Sequence, residues 1–318
     1  MSLLEIKNLK TYFETKDGVV KAVDDVSFTL EEGEAIGLVG ESGCGKTTTA
    51  LSIINLLPQE GRVVGGEINY NGKNLAELDQ NKIRRYRWND ISIAFQGAMN
   101  ALNPVKKIGE QITEVMMYHN GLDYKSARKK AKELLELVEI DSARIDQYPH
   151  EFSGGMKQRV MIAMALACDP KVLIGDEPTT ALDVMVQAQI LELLEKLRKE
   201  LGMSVILITH DLSVMAETCD KAAVMYAGKI VETGSVENII NNSSHPYTQK
   251  LVKAFPDIHG KKEMTESIPG TPPDLITPPS GCYFHPRCEH ATEECRVSAP
   301  PLRKMAENHY VACHLKGV

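Results

Sequence analysis

A glycine-rich segment near the start of the chain has the residue types and spacing that hold phosphate groups. Residues 40–47 match the pattern G-x-x-x-x-G-K-[ST], directly after the apolar run AIGLV and before a helix-forming segment. Glycines let backbone N–H groups turn inward around phosphate oxygens, and a helix N-terminus adds its positive end. Lys46 is expected to reach the β- and γ-phosphates, and the Thr47 hydroxyl to ligate Mg²⁺. The nucleotide contacts predicted here are Gly40, Glu41, Ser42, Gly43, Cys44, Gly45, Lys46, Thr47 and Thr48.

A second segment ends in two carboxylates that suit the same chemistry. Residues 171–177 read KVLIGDE, an apolar run typical of a buried strand followed by Asp176 and Glu177. Ligand sites of parallel sheets lie at the carboxyl ends of their strands. There Asp176 is expected to hold Mg²⁺ through water, and Glu177 to orient and deprotonate an attacking water. The two segments together predict the hydrolysis of a nucleoside triphosphate.

The elements that position these segments alternate between strands and helices. The first thirty residues read as strands, and Asn71-Gly72 between two strand-like runs predicts a type I′ hairpin. Residues 123–140 place apolar side chains on one helical face, and residues 186–201 predict a helix that ends at Gly202. Apolar strands that alternate with helices indicate a parallel sheet covered on both faces.

Composition excludes several classes of protein. The formal net charge is −7 in 318 residues, and no Lys/Arg cluster interleaves with aromatic residues, so nucleic acid is not an expected partner. We see no signal peptide, and no apolar run approaches the roughly 18–20 residues that span a bilayer. The chain is therefore expected to stay in a reducing compartment, where its seven cysteines are poor candidates for structural disulfides.

The composition changes near His245. Ten of the fifteen prolines and four of the seven cysteines lie in residues 245–318, which lack strong periodicity. We therefore predict one domain over residues 1–244 and a separate, loop-rich extension over residues 245–318.

Four cysteines of the extension are candidate metal ligands. Cys282, Cys288, Cys295 and Cys313 are separated by spacers of five, six and seventeen residues. Four thiolates suit either Zn²⁺ or an iron–sulfur cluster. Structural zinc usually takes closer pairs, C-x₂₋₄-C, which this segment lacks, so the spacing favours a cluster over zinc. The third possibility is that the four cysteines bind no metal.

Further motifs resemble the ABC ATPase family. Residues 152–159, FSGGMKQR, resemble its signature motif and stand shortly before the Asp176-Glu177 strand. Gln96 is similar to the Q-loop glutamine, Ala181-Leu182-Asp183 to the D-loop, and His210 to the switch histidine. The likeness covers residues 1 to about 240. It implies an α/β P-loop NTPase fold: a RecA-like core, an antiparallel β subdomain and a helical subdomain at about residues 97–165.

The resemblance also implies roles. Members of that family work as head-to-tail dimers, so Ser153, Gly154 and Gly155 would serve the ATP of a partner cassette. Gln96 would touch Mg²⁺ or the attacking water, and His210 the γ-phosphate. An aromatic near the N-terminus would stack on adenine, with Phe13 the first candidate and Tyr12 the alternative.

Three segments narrow the resemblance to ATPases of dipeptide, oligopeptide and nickel importers: residues 148–156 (YPHEFSGGM), 101–104 (ALNP) and 245–248 (HPYT). Residues 281–288, GCYFHPRC, and the two later cysteines resemble the [4Fe–4S] region of some dipeptide-importer ATPases. The resemblance implies a peripheral subunit at the cytoplasmic face of the membrane that powers peptide import. Its partners would be a second, related cassette, two transmembrane permeases and, indirectly, an external substrate-binding protein. A nickel importer and a non-transport ABC ATPase of DNA repair or translation are the alternatives.

Overall fold

The computed structural model describes residues 2–95, 101–180, 182–254 and 268–315. In these ranges the strands, in chain order, are β1 (Leu4–Thr15), β2 (Gly18–Leu30), β3 (Ala35–Val39), β4 (Gly61–Tyr70), β5 (Lys73–Asn74), β6 (Ile91–Ala94), β7 (Val172–Asp176), β8 (Ser204–Thr209), β9 (Lys221–Tyr226), β10 (Lys229–Ser235), β11 (Arg303–Ala306) and β12 (His309–Val311).

The α-helices of the same ranges are α1 (Lys46–Ile53), α2 (Gln80–Ile83), α3 (Ile108–Asn120), α4 (Tyr124–Leu137), α5 (Gly154–Ala165), α6 (Val184–Leu201), α7 (Leu212–Thr218), α8 (Val236–Asn241), α9 (Pro246–Ala254) and α10 (Glu293–Val297). Short 3₁₀ turns lie at Leu75–Glu77, Ser142–Asp146, Pro149–Glu151 and His285–Arg287. The chain forms two compact units, one of residues 1–31, 35–77 and 209–318 and the other of residues 32–34 and 78–208.

The first unit contains an antiparallel sheet with strand order β2-β1-β4-β5. The predicted hairpin is confirmed, because Asn71 and Gly72 have φ of 46° and 76° between β4 and β5, as a type I′ turn requires. In the same unit β3 pairs with β9 in parallel, and β9, β10, β12 and β11 follow in antiparallel order. β3 is buried at every position, as its apolar sequence predicts.

The second unit is built from parallel strands and helices. β6 pairs with β7 and β7 with β8, both in parallel. The helix predicted over residues 123–140 is confirmed as α4, which begins after the cap Asp123 and buries Ala127, Ala131 and Leu135. α6 ends at Gly202 as predicted, with φ of 61°, but begins two residues earlier than its predicted start because Asp183 caps it. Helices α3, α4, α5 and α6 share one apolar core with Leu173 of β7.

The C-terminal segment is loop-rich, and parts of it pack against the strands that precede it. Its strand β12 lies beside β10, and Phe284 belongs to the core that also contains Tyr226 and Tyr247. Neither strand of this segment has the length or alternation that would reveal it in the sequence. The domain boundary predicted at residues 244 and 245 is not tested by this packing and stays a prediction.

A fully buried carboxylate anchors this segment. Glu232 of β10 accepts hydrogen bonds from the backbone N–H groups of Ser244 (2.7 Å) and His245 (3.0 Å), and its carboxylate lies 2.7 Å from Nε2 of His309 in β12. A buried polar group is tolerated when hydrogen bonds satisfy it, and these three contacts do so for the Glu232 side chain. Glu232 therefore ties the start and the end of the segment to one strand.

His245 is held neutral in the same place. Its side chain is buried, and Nδ1 accepts the backbone N–H of Tyr247 at 3.1 Å, which only an unprotonated nitrogen can do. Burial lowers the pKa of His245 to about 3. Because the unfolded chain takes up this proton near pH 6.5 and the folded chain does not, His245 makes the folded state lose stability as the pH falls below about 6.5.

We expect His245→Asn, which keeps an acceptor but does not titrate, to lose less stability on acidification than the natural protein. The difference should grow by up to about 1.4 kcal/mol per pH unit below pH 6.5. Urea unfolding at pH 7.5 and pH 5.0 measures it, with the exposed His290→Asn as the matched control. Parallel pH dependence of the natural protein and His245→Asn would contradict the assignment.

Candidate nucleotide site

The glycine-rich loop joins β3 to α1 and leaves no room for side chains at two of its glycines. A Cβ on Gly40, whose φ is 152°, would lie 2.1 Å from the carbonyl oxygen of Met225. A Cβ on Gly45, whose φ is 103°, would lie 2.3 Å from the carbonyl oxygen of Ala22. Only glycine fits both the backbone conformation and the close approach. The spacing of the two glycines therefore follows from where the loop meets its neighbours.

Lys46 lies over the same loop. Its side chain is 5% exposed, and Nζ donates to the carbonyl oxygens of Gly40 at 2.7 Å and Glu41 at 3.1 Å. Its positive charge is thus held at the mouth of the loop. Ser42, Gly43 and Thr47 are exposed at the surface of the same segment, and Thr48 is half-buried. This arrangement offers an anion one ammonium group, two hydroxyl side chains and the N-terminus of α1.

Cys44 fills the inside of the loop. Its side chain is buried, and Lys46 Nζ lies 3.7 Å from its Sγ. Burial raises the pKa of the Cys44 thiol, so the thiol form dominates at neutral pH. A small apolar filler accounts for this residue without redox chemistry.

The two candidate aromatic residues lie on β1. The Tyr12 hydroxyl donates to Asp24 Oδ1 at 2.9 Å, and burial raises the pKa of this phenol to about 12. The Phe13 ring packs against Gly61, where a Cβ would lie 2.7 Å from a ring carbon. Both rings belong to the same compact unit as the glycine-rich loop, as does the exposed His210, which follows β8.

The carboxylate pair lies in the other unit, at the end of β7. Asp176 is 2% exposed and is the last residue of the strand. Glu177 has a left-handed backbone with φ of 46°, its N–H donates to the Ile208 carbonyl at 2.9 Å, and its Oε2 accepts the Thr180 hydroxyl at 2.9 Å. A left-handed backbone is uncommon for a glutamate.

The predicted signature begins a helix of the same unit. Ser153 is exposed and caps α5, its Oγ accepting the Met156 N–H at 3.3 Å. A Cβ on Gly155 would lie 2.5 Å from Cγ1 of Val186, so this glycine lets α5 approach α6 closely. Asp183, in the predicted D-loop, caps α6 by accepting the Val186 N–H at 3.0 Å. Gln96 and Ala181 lie outside the described residues.

The predicted metal site of the extension is not shown. All seven cysteines are free, and the Cys282 N–H donates to the Cys295 carbonyl at 2.8 Å. Burial is the main reason that the pKa of the Cys282 thiol is raised to about 11, and the neighbouring thiols of Cys295, Cys313 and Cys288 contribute to this rise. Within the described parts of the chain, however, no three His, Cys, Asp or Glu side chains are grouped closely enough to hold a metal ion.

Two contacts to Glu41 escaped the sequence analysis. The Tyr247 hydroxyl accepts the Glu41 N–H at 2.9 Å, and Arg287 makes a bidentate ion pair with its carboxylate at 2.7 and 3.0 Å. Tyr247 lies in the HPYT segment and Arg287 in the GCYFHPRC segment, both of which resemble segments of peptide-importer ATPases. Nothing in either segment indicates that its partner is Glu41, which lies 206 residues before Tyr247 and 246 residues before Arg287.

The structure thus contains a glycine loop after a buried parallel strand, a strand that ends in Asp-Glu, and a Ser-capped S-G-G helix, which are the features that resemble the ABC ATPase family. Comparison with known proteins agrees. Residues 23–180 match the family described as ABC transporter, and residues 231–295 match the oligopeptide/dipeptide transporter, C-terminal region.

Named relatives and solved structures extend the match. The chain is 48% identical to the oligopeptide transport ATP-binding protein OppD of Haemophilus influenzae, covering 98% of this chain and 97% of that protein. It is 49% identical to OppD of Bacillus subtilis, covering 97% and 87%. The dimeric, post-hydrolysis structure of the cassette MJ0796 bound to ADP and Pi superposes with a TM-score of 0.65 at 28% identity, covering 73% of this chain and 98% of that one.

The chain therefore belongs to the family of ABC transporter ATP-binding proteins, with the C-terminal region of oligopeptide/dipeptide transporters, and is an ATPase of that class. The predicted ABC cassette fold is confirmed. Among the residues that the structure describes, no helix combines the length and apolar character needed to cross a membrane.

Lys46→Ala should weaken binding of Mg²⁺-ATP by about a hundredfold, because it removes charge-assisted hydrogen bonds to the phosphates. Titration calorimetry measures the effect. The exposed Lys16→Ala, on the same unit, should bind like the natural protein. Equal affinity of the Lys46 variant and this control would show that the loop does not hold the nucleotide.

Proposed function

We propose that the chain hydrolyses ATP to power the import of oligopeptides or dipeptides, as one ATPase subunit of an ABC transporter. The observation that carries this proposal is the near full-length likeness to two OppD proteins, together with the match of residues 231–295 to the peptide-transporter C-terminal region. A likeness confined to the cassette would have supported ATP hydrolysis without indicating the cargo.

The loop of residues 40–48 is proposed to bind the phosphates of ATP. Its backbone N–H groups and the N-terminus of α1 donate to phosphate oxygens, and Lys46 moves from the loop carbonyls to the β- and γ-phosphates. Thr47 and Asp176 each carry the hard oxygen donor that Mg²⁺ prefers, and both are proposed to hold this ion, Asp176 through water. Bound Mg²⁺ would neutralise charge that develops on the phosphates. Phe13 is proposed to stack on adenine, with Tyr12 as the alternative.

Glu177 is proposed as the general base. The Thr180 hydroxyl and the Glu177 N–H bond to Ile208 fix the direction of this side chain, and an oriented carboxylate can take a proton from the attacking water. His210 is proposed to contact the γ-phosphate and hold the position of that water. Gln96 is proposed to sense Mg²⁺ or the water.

Ser153, Gly154, Gly155 and Asp183 are proposed to act on the ATP of a second cassette. Ser153 and Asp183 are exposed, and Val184 and Met185 beside Asp183 are also exposed, 79% and 73%. Large apolar side chains at this exposure suit a surface that a partner covers. The similar cassette MJ0796 was solved as a dimer. We propose a related but different ATPase as the second cassette.

The remaining partners follow from the class. An ATPase subunit without a spanning helix in its described residues needs permeases to move a peptide across a membrane. We propose two transmembrane permease subunits, an external substrate-binding protein that delivers the peptide, and a peripheral position at the cytoplasmic face of the membrane.

We also propose that Cys282, Cys288, Cys295 and Cys313 hold a [4Fe–4S] cluster. The four thiols lie within electrostatic reach of one another, and the Cys282–Cys295 backbone hydrogen bond joins two of their segments. Four cysteine thiolates are the ligand set that a [4Fe–4S] cluster takes. The cluster would staple a loop-rich segment. Zn²⁺ is the alternative.

Glu177→Gln should keep ATP binding and stabilise the cassette dimer while turnover falls by about 10²–10⁴-fold, because the amide cannot accept the proton. Phosphate release and gel filtration with ATP measure the two effects. The exposed Glu192→Gln, in the same unit, is the control and should hydrolyse ATP normally. Full activity of the Glu177 variant would overturn the base assignment.

Protein purified without oxygen should contain about four iron and four sulfide ions per chain. Cys295→Ser should lower both contents, whereas Cys168→Ser, at a cysteine of the other unit, should leave them unchanged. Colourless protein with bound zinc and no iron would end the cluster proposal.

A further inference from the structure

The C-terminal segment reaches the phosphate-binding loop through one residue, Glu41. Tyr247 of α9 accepts the Glu41 backbone N–H at 2.9 Å. Arg287 donates from Nη1 to Oε2 at 2.7 Å and from Nη2 to Oε1 at 3.0 Å. A bidentate arginine–carboxylate pair fixes both distance and orientation, which a single ion contact does not. Backbone and side chain of Glu41 are thus both held by residues more than 200 positions away.

The guanidinium of Arg287 is itself fixed by other contacts. Its side chain is 4% exposed, Nε donates to the Pro269 carbonyl at 2.8 Å, and Nη1 lies 3.3 Å from the Tyr226 hydroxyl. The guanidinium carbon also lies 5.7 Å from the Tyr226 ring centroid. These contacts do not involve Glu41, so they hold the Arg287 guanidinium in place independently of the carboxylate.

Buried aromatic rings support this arrangement. Phe284, three residues before Arg287, packs on Tyr226 with ring centroids 5.2 Å apart and on Tyr247 at 5.4 Å, and these two tyrosines lie 4.7 Å apart. All three rings are almost completely buried, so the turn that carries Arg287 is anchored in a packed core. The turn therefore behaves as part of the scaffold of the loop.

The ion pair of Arg287 with Glu41 also affects the charge of the phosphate-binding loop. The loop is proposed to bind a triphosphate, and Glu41 places a carboxylate directly in it. An uncompensated negative charge several ångströms from the phosphates would weaken their binding, because unit charges interact strongly at that range near a protein surface. The phosphate-loop pattern leaves this position open to any residue, so it does not require the carboxylate. Arg287 supplies the opposite charge.

We propose that Arg287 is a positioning residue of the nucleotide site: it clamps the Glu41 side chain and cancels its charge, so that the loop accepts a triphosphate. This inference rests on the proposed binding of ATP by residues 40–48. It makes the C-terminal segment a working part of the ATP site. A purely structural Arg287 would support the fold without regard to the charge of Glu41, and this difference can be measured.

Affinities for Mg²⁺-ATP and Mg²⁺-ADP, measured by titration calorimetry on the full chain, test the proposal. Arg287→Ala should weaken ATP binding by about tenfold and ADP binding by less, since ADP carries less charge. Adding Glu41→Ala to this variant should restore ATP affinity to within about threefold of the natural protein. Arg287→Lys keeps the positive charge but loses the bidentate geometry, so its affinity for ATP should lie between those of Arg287→Ala and the natural protein. Arg296→Ala, at an exposed arginine of the same segment, is the control.

Two outcomes would overturn the proposal: natural ATP affinity in Arg287→Ala, or a double variant that binds as weakly as Arg287→Ala. Melting temperatures identify variants that do not fold. If Arg287→Ala does not fold, the ATP affinity of Arg287→Lys is compared with that of Arg287→Lys/Glu41→Gln instead. If adding Glu41→Gln does not restore ATP affinity, the proposal is overturned. Natural protein and Lys46→Ala that both fail to bind ATP would instead refute the proposed nucleotide site.

Discussion

The close approach of backbone to backbone around the phosphate-binding loop is the constraint on which the nucleotide site depends. Gly40 and Gly45 lie so close to the carbonyl oxygens of Met225 and Ala22 that a Cβ atom at either position would clash with them. The strand before the loop and the helix after it are therefore joined by a turn that only glycine can make at these two positions. Any residue with a Cβ at either glycine would push the loop away from these neighbours.

The C-terminal segment stabilises that loop rather than standing apart from it. Its two anchors are of different physical kinds: the fully buried Glu232 is satisfied by hydrogen bonds from both ends of the segment, and the Phe284 cluster is satisfied by packing. Between these anchors the chain presents Arg287 and Tyr247 to the loop residue Glu41. A segment rich in proline and poor in periodicity can thus be as well positioned as a helix, because its buried polar and aromatic groups fix it.

Helix caps are a recurring device in the unit that carries the carboxylates. Ser153 and Asp183 each occupy an N-cap, so their backbone positions are set by local hydrogen bonding while their side chains remain at the surface. A capping residue that is also exposed can change partners when a phosphate or a second chain approaches, because the helix N-terminus attracts negative charge. Ser153 and Asp183 therefore each begin a helix and are also the residues proposed to act in a partner's site.

The amino-acid sequence alone determined the parts of this protein that depend on local chemistry. The glycine loop, the hairpin at Asn71-Gly72, the helix capped by Asp123 and the buried run before Asp176 are short-range patterns, and the structure has each of them. Motif order also sufficed to indicate the family.

Only the tertiary structure decided which distant residues meet. The ion pair of Glu41 with Arg287, the burial of Glu232 against His309, and the addition of β12 to β10 join residues far apart in the chain. No periodicity or spacing encodes such pairs, since they arise when separate elements bury a common core and bring polar groups with them. The left-handed backbone of Glu177 is of the same kind, because it occurs where the Glu177 N–H bonds to Ile208 of the neighbouring strand, and no local pattern specifies that partner.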